Sequence, residues 1–262
     1  MLTQEIVDRA AAAAGLPRLA RFVEVTGSTN SDLLEAAGAG APEWSVLVAG
    51  EQRAGRGRLG RKWSSPGGKS LSVSVLLRPA IPATETALLS LAAAVSLATA
   101  CEQACSVGAR CKWPNDLMGG DRKLGGILVE GTVRDGRVSH VVVGAGVNLT
   151  QSKEDFPQAL RESATSVVTK GGRPNPQALL GDYLTCLRAM YGEGGQGLRD
   201  RVSAAYPERC DTLGRAVRGR TRSGATVVGI ATGIGELGEL LVRDPATGAT
   251  TSVTFGEVDH LR

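Results

Sequence analysis

Gly55-Arg56-Gly57-Arg58-Leu59-Gly60-Arg61-Lys62-Trp63, running on through Ser64-Ser65-Pro66-Gly67-Gly68, is the stretch around which the chain is organised. Four cationic side chains alternate with glycines over eight residues. Glycine permits positive φ and a close approach of backbone to ligand, and it makes the free segment entropically costly to order. Arginine offers a planar, permanently charged fork that matches carboxylate and phosphate. Trp63 adds a flat face on which a purine can stack. A segment of this kind is expected to be loose when free and to close over an anionic, base-bearing ligand. A solvated tail can share the composition but not the setting. Residues 45–50 read as a strand ending at Glu51 and Gln52, and 70–77 place an apolar residue at every second position. A loop between two strands points to function.

At 262 residues the chain suits one large domain with a small appendage. The formal charge of +4 permits anionic ligands without demanding nucleic acid. Met1-Leu2-Thr3-Gln4-Glu5 lacks the basic start and apolar core of a signal peptide. The apolar stretch 87–100 is interrupted by Ser90, Ser96 and Thr99 and is too short for a bilayer, so a cytoplasmic protein without a membrane partner is expected. Cys101, Cys105, Cys111, Cys186 and Cys210 contain no CxxC pair and read as ordinary reduced thiols. His140 and His260 are too few for a zinc site or a histidine-based triad.

In chain order, a helix over 2–14 stops at Gly15 and Pro17, and a strand over 21–25 follows. Residues 26–30 form a turn of capping residues before a helix over 31–37. By themselves Ser28, Thr29 and Asn30 favour capping alone; a functional reading adds that they display hydroxyl and amide groups where a polar ligand head can dock. Thr84 is expected to cap a buried, Ala- and Leu-rich helix running to about Cys105. In Lys112-Trp113-Pro114-Asn115-Asp116, Pro114 takes Trp113 out of helical geometry, so Lys112 and Asp116 flank an extended bend. Cation and carboxylate there suit phosphate and Mg²⁺, or equally a local ion pair. Lys123 stands at the entrance of a strand over 127–130, with Gly125 and Gly126 allowing close approach. Asp135-Gly136 signals a hairpin into 138–143. Gly144-Ala145-Gly146-Val147-Asn148 lacks the third glycine and following helix of a dinucleotide turn. Its small residues let something pack on the strand while Asn148 presents its amide. Residues 151–159 are charged and irregular, 165–168 a short turn and 171–176 a loop. Helices over 176–191 and 198–206 precede short β-runs at 216–220, 225–234, 239–243 and 250–255. Turns at Ser223-Gly224, 235–238 and 245–248 separate them, as in a small barrel.

Taken together, Gly55-Arg56-Gly57-Arg58 with Arg61-Lys62-Trp63, the Lys112–Asp116 block and Lys123-Leu124-Gly125-Gly126-Ile127-Leu128 resemble the three signature blocks of bacterial biotin–protein ligases. Ser28-Thr29-Asn30, Gln52 and Gly146-Val147-Asn148 stand where that family places similar residues. The resemblance runs in order from Ser28 to Asn148, and the terminal β-module is similar to the family's SH3-like domain. It implies an α+β fold, a mixed β-sheet flanked by helices like that of lipoate ligases and class II aminoacyl-tRNA synthetases. A catalytic domain over 1–211 and an SH3-like barrel over 212–262 follow from it.

The same resemblance implies a two-step reaction. Biotin and MgATP give biotinyl-5′-AMP and diphosphate, and a lysine of a biotin carboxyl carrier domain of acetyl-CoA or acyl-CoA carboxylase then displaces AMP. Ser28, Thr29, Asn30, Gln52, Gly55, Arg56, Gly57, Arg58, Lys123 and Gly126 match the family's biotin positions. Arg58, Arg61, Lys62, Trp63 and Asn148 match ATP positions; Arg58, Lys123 and Lys112 match catalytic ones. Asp116 matches the Mg²⁺ region, Mg²⁺ being the one cofactor implied. Bringing a carboxylate onto an α-phosphate sets two anions together, so positioning and charge neutralisation dominate the chemistry. The family's DNA-binding domain has no counterpart in the first residues, so sequence-specific DNA binding is not expected. A lipoate–protein ligase is the nearest alternative. A nucleic-acid-binding protein is a distant one, since three Trp, three Tyr and three Phe supply few stacking platforms.

Overall fold

Val-, Leu- and Ile-rich runs bounded by turn residues become strands. In the computed structural model, which describes residues 2–221, 224–254, 256 and 258–261, seven of them make one mixed sheet. They are β1 (Ala20–Thr26), β2 (Val46–Gln52), β3 (Ser70–Leu77), β4 (Arg110–Lys112), β5 (Asp116–Gly119), β6 (Arg122–Arg134) and β7 (Arg137–Asn148). Their order is β1-β2-β3-β7-β6-β5-β4. β1 and β2 run parallel and the other neighbours antiparallel. Asp135 and Gly136, both at positive φ, close the β6–β7 hairpin as their dipeptide foretells.

Five α-helices flank the sheet among the described residues: α1 (Gln4–Ala13), α2 (Thr29–Gly38), α3 (Thr86–Cys105), α4 (Pro176–Tyr191) and α5 (Leu198–Arg209). Leu33 and Ala37 of α2 pack on Leu47, Leu76 and Val142 at one face. The opposite face carries the main core, in which α3, α4 and α1 pack together. α2 begins earlier than expected, so Thr29 and Asn30 belong to its first turn, and Ser28 precedes it without a side-chain capping bond. Thr84 is not the cap of α3. It sits in a single 3₁₀ turn, Glu85 takes the cap position, and Thr86 Oγ1 donates back to the Ala83 carbonyl.

The helical stretch Ala83–Cys105, unlike residues 87–100 taken alone, is long and apolar enough to cross a membrane. Here 72% of its apolar window is buried inside the protein, which makes it a core helix. The five cysteines are free and all but Cys186 are buried; burial pushes the Cys111 thiol up to about 12.

Strand β3 decides where the site lies. Apolar residues stand at every second position, yet all eight residues are buried. Leu71, Val73, Val75 and Leu77 enter the main core. The serines between them find polar partners, as buried hydroxyls must. Ser72 Oγ lies 2.8 Å from Ser65 Oγ, and Ser70 Oγ accepts from Gln151 Nε2 at 2.7 Å.

A second sheet follows the helices: β8 (Ala216–Arg220), β9 (Thr226–Ile234), β10 (Leu240–Arg243), β11 (Thr250–Val253) and β12 (Val258–His260), in the order β11-β10-β9-β8-β12, antiparallel throughout. β12 is an addition to the expected runs, three residues being too few to show a period. Phe255, at the end of one expected run, and Ser223, in an expected turn, lie outside the described residues. The module is moored by Trp113, whose indole N–H donates to the Gly238 carbonyl at 2.9 Å and whose backbone N–H donates to Thr212 Oγ1 at 3.0 Å. His260 Nε2 lies 3.1 Å from the same hydroxyl.

Burial, then Lys112 and Arg215, hold His260 below its ordinary value, against the opposing pull of Asp211 and Asp259. His140 is lowered too, by burial, Arg78 and Arg134. The fold therefore favours neutral imidazoles, and below the ordinary value of 6.5 the unfolded chain binds more protons. Stability should be fully present above that value and fall as pH drops through the folded ones. Thermal melts from about pH 7.5 to about pH 5.5 are expected to show the fall, and His260→Gln to make it shallower. An unchanged slope in that variant removes His260 from the account.

Candidate active site

The cationic stretch folds as a narrow hairpin. Trp63 N–H donates to the Gly55 carbonyl at 2.8 Å, Arg56 and Lys62 bridge, and Gly57 N–H donates to the Arg61 carbonyl at 2.7 Å. The tip, Arg58–Gly60, is one 3₁₀ turn with Leu59 and Gly60 at φ +54° and +74°. Gly55 is required by this closure, since a Cβ there would stand 2.5 Å from the Trp63 carbonyl oxygen.

The hairpin lies over the serine-bearing face of the sheet, and β7 presents glycines to it. A Cβ on Gly146 would fall 2.7 Å from the Trp63 indole, and one on Gly144 would fall 2.2 Å from Asn30 Oδ1. The small residues of β7 thus do what their sequence suggested: they admit an aromatic ring and an amide against the strand.

Between hairpin and sheet opens a cavity of about 380 Å³. Ser28, Thr29 and Asn30 reach it from the start of α2 and Gln52 from the end of β2. Arg56, Gly57, Arg58, Arg61, Lys62 and Trp63 reach it from the hairpin. Lys112, Asp116, Lys123 and Gly126 come from β4 to β6, and Asn148 from the end of β7. Of the residues singled out in the sequence, Gly55 alone does not line this cavity; it borders a larger cleft beside it.

A polar chain crosses the cavity wall. Gln52 Oε1 accepts from Thr29 N–H at 2.9 Å and lies 3.1 Å from Thr29 Oγ1. Ser74 Oγ lies 2.8 Å from Thr29 Oγ1 and 2.6 Å from Asn30 Oδ1. Asn30 Nδ2 donates to Glu130 Oε2 at 2.9 Å, and Arg56 Nη2 reaches the same oxygen at 2.7 Å. A second pin joins hairpin to sheet: Arg58 Nη1 donates to Asn115 Oδ1 at 3.0 Å, and Asn115 Nδ2 donates to the Ile127 carbonyl at 2.9 Å.

Lys112 and Asp116 sit opposite each other where β4 turns into β5, paired across the bend that they flank. The ion pair forms elsewhere: Lys123 Nζ lies 2.5 Å from Asp116 Oδ1, and Lys112 makes no ion pair among the described residues. Asn148 also differs from expectation. Its amide is turned to the protein, donating to the Thr165 carbonyl at 2.9 Å and accepting from Gln151 at 3.2 Å. The Trp63 indole N–H is buried without a hydrogen-bond partner among the described residues.

Sequence reasoning missed the roles of Glu130 and Asn115 here, and that Asp121 lines the cavity. Alternation along β6 puts Glu130 on one face with Leu128, but nothing local names partners 74 and 100 residues away. It also missed the wall built by Phe156, Leu160, Ser163 and Ala164. That segment has no periodicity. It is strapped by Lys69–Asp155 at 2.5 Å and by Lys153–Glu162, and Lys123 N–H donates to the Ser163 carbonyl at 2.8 Å.

A mixed sheet that carries its cavity on a glycine floor, under a hairpin of arginines, defines a protein that seats anionic groups beside a flat ring. Residues 22–148 match the biotin/lipoate A/B protein ligase family, and 212–261 the biotin protein ligase C terminal domain. The chain is 35% identical over 246 residues to the biotin–[acetyl-CoA-carboxylase] ligase of Mycobacterium tuberculosis, covering 92% of this chain and 88% of that one. It is 34% identical over 222 residues to the bifunctional ligase/repressor BirA of Bacillus subtilis, covering 84% and 68%. Its fold matches the biotin protein ligase of Aquifex aeolicus in complex with biotin and ATP at a TM-score of 0.74, with 25% identity and 93% and 98% covered. The chain belongs to the biotin/lipoate A/B protein ligase family, and within it to the biotin protein ligases.

Proposed function

We propose that this cytoplasmic enzyme converts biotin and MgATP into biotinyl-5′-AMP and diphosphate. It then passes biotin to a lysine of a biotin carboxyl carrier domain of acetyl-CoA or acyl-CoA carboxylase. Residues 1–211 would serve catalysis, with 212–262 as the SH3-like module. The observation that carries this is the convergence of the hairpin, the Lys112–Asp116 turn and the Lys123 strand entrance on one cavity of about 380 Å³.

Ser28, Thr29, Asn30 and Gln52 offer donors and acceptors to the ureido ring, the last three held in place by the chain of bonds through Ser74. Arg56 and Gly57 lie along the acid's path, with Gly55 acting through hairpin closure. Gly126 leaves room for the Lys123 side chain, whose Cε would be 3.3 Å from a Cβ there. Arg58 and Lys123 span the carboxylate and the α-phosphate, and Lys112 takes a further phosphate oxygen. Arg61, Lys62, Trp63 and Asn148 surround the nucleotide, the indole supplying a flat face and a spare N–H.

The carboxylate oxygen bonds to the α-phosphorus as the bridging oxygen departs with diphosphate. The carrier amine then bonds to the acyl carbon, loses a proton and expels AMP. Cations set around the meeting anions lower the first barrier. Mg²⁺ arrives as the counterion of ATP: no group of three or more candidate ligands is gathered among the described residues. Asp116 and Asp121 are the carboxylates on the cavity wall, and Mg²⁺ is usually held by one or two such groups plus the phosphates.

Purified protein should release diphosphate and AMP and add the mass of one biotinyl group to an apo-carrier domain when given biotin and MgATP. Lipoate in a parallel reaction should add nothing. Transfer of lipoate and not biotin would overturn the assignment.

A further inference from the structure

Leu59 has no part in the chemistry proposed above, and its setting is unfavourable on two counts. It is 66% exposed, more than any other large hydrophobic among the described residues, and it belongs to neither core cluster. Its φ of +54° is one that a β-carbon disfavours and that glycine or asparagine adopts readily. An asparagine would make the same turn with less strain and no apolar exposure. Strain and exposure together at a hairpin tip point to something the side chain meets from outside.

The place it faces is the larger cleft, about 1230 Å³, between the hairpin, the start of α3 and the C-terminal module. Leu59, Pro157, Leu160, Ala87, Leu91 and Pro114 give it an apolar lining. Its charged lining carries five cations, Arg53, Arg56, Arg58, Arg61 and Lys62, against Glu51 and Glu130. Arg56 to Arg58 and Arg61 to Ser64 border both the cleft and the inner cavity, while Leu59 and Gly60 border the cleft alone, so the tip stands on the outer side of the path by which a lysine would reach the inner cavity.

We propose that Leu59 is a docking contact for the acceptor protein: it receives an apolar side chain beside the acceptor lysine, on a carrier whose surface around that lysine is acidic. This rests on the two-step reaction proposed above. The apolar walls fit the flanking residue, and the excess of cations fits the acidic surround.

Leu59→Asn keeps the turn and removes the apolar surface, so it separates docking from chemistry. Diphosphate release with biotin and MgATP, and capture of the intermediate by hydroxylamine, are expected within about twofold of the parent. The KM for apo-carrier should rise about ten- to a hundredfold, the scale of one leucine left unburied. Leu59→Met should restore most of it, and added salt should raise the parent's KM for carrier. An unchanged carrier KM in Leu59→Asn overturns the contact. So does an equal fall in hydroxylamine capture, which would assign Leu59 to the hairpin instead. A parent protein that releases no diphosphate from biotin and ATP overturns the two-step reaction, and the contact with it.

Discussion

Replacing Lys123 with alanine is expected to slow biotinyl-adenylate formation by about a hundredfold or more while the protein still folds. The backbone at this position is held independently of the side chain. Lys123 N–H donates to the Ser163 carbonyl, and its own carbonyl accepts from Thr165 N–H at 2.9 Å. The ammonium lies 2.5 Å from Asp116, but the two side chains are 35% and 26% exposed, so water can take over the stranded carboxylate. Stability should therefore change little. The rate should change a great deal, because the lost charge sits where carboxylate and phosphate are forced together. Lys123→Arg should keep part of the activity by keeping the charge. Quench-flow measurement of diphosphate release decides the matter, and a near-parental rate in Lys123→Ala would remove the residue from the mechanism.

Gly146→Val should damage the use of ATP more than the binding of biotin. Its first added carbon would fall 2.7 Å from the Trp63 ring, and β7 cannot retreat, being bonded to β3 on one side and β6 on the other. The indole must lift, carrying the hairpin with it. Overpacking of this kind costs about 1–3 kcal/mol, which corresponds to about ten- to a hundredfold in nucleotide affinity. Biotin should lose less, because its proposed contacts at Ser28, Thr29, Asn30 and Gln52 come from other elements and only Arg56, Gly57 and Arg58 move with the hairpin. Calorimetric titration with biotin alone, beside the KM for ATP, separates the two effects. Equal losses for both ligands, or none for ATP, would refute the assignment of Trp63 to the nucleotide side.

What could be read from the sequence was what repeats or punctuates locally. Asp135-Gly136, the bounds of α4 and the strands on either side of the hairpin follow from period and turn chemistry. Gly144 and Gly146 could be read as places of close approach, though not which side chains would approach. The clasp of Asn30, Glu130 and Arg56 was illegible, because each partner is ordinary alone and the spacing is set by the sheet's order. The alternation in β3 did not show that Ser72 and Ser74 are buried, since composition cannot tell solvent from a polar cavity. The 151–164 wall carried no periodic signal at all. Its place is dictated by ion pairs to Lys69 and Arg122 and by Lys123.

Trp113 ties two histories together. It lies inside the Lys112–Asp116 block, yet its two donor groups are spent on Thr212 and Gly238. A chain ending before residue 212 would leave both N–H groups to find water or go unpaired, at the edge of the strand pair that aims Lys112 and Asp116. The terminal module is thus a foundation stone of the catalytic wall rather than a tenant beside it. Exchange of that module between relatives should succeed only where the seat for this one indole travels with it.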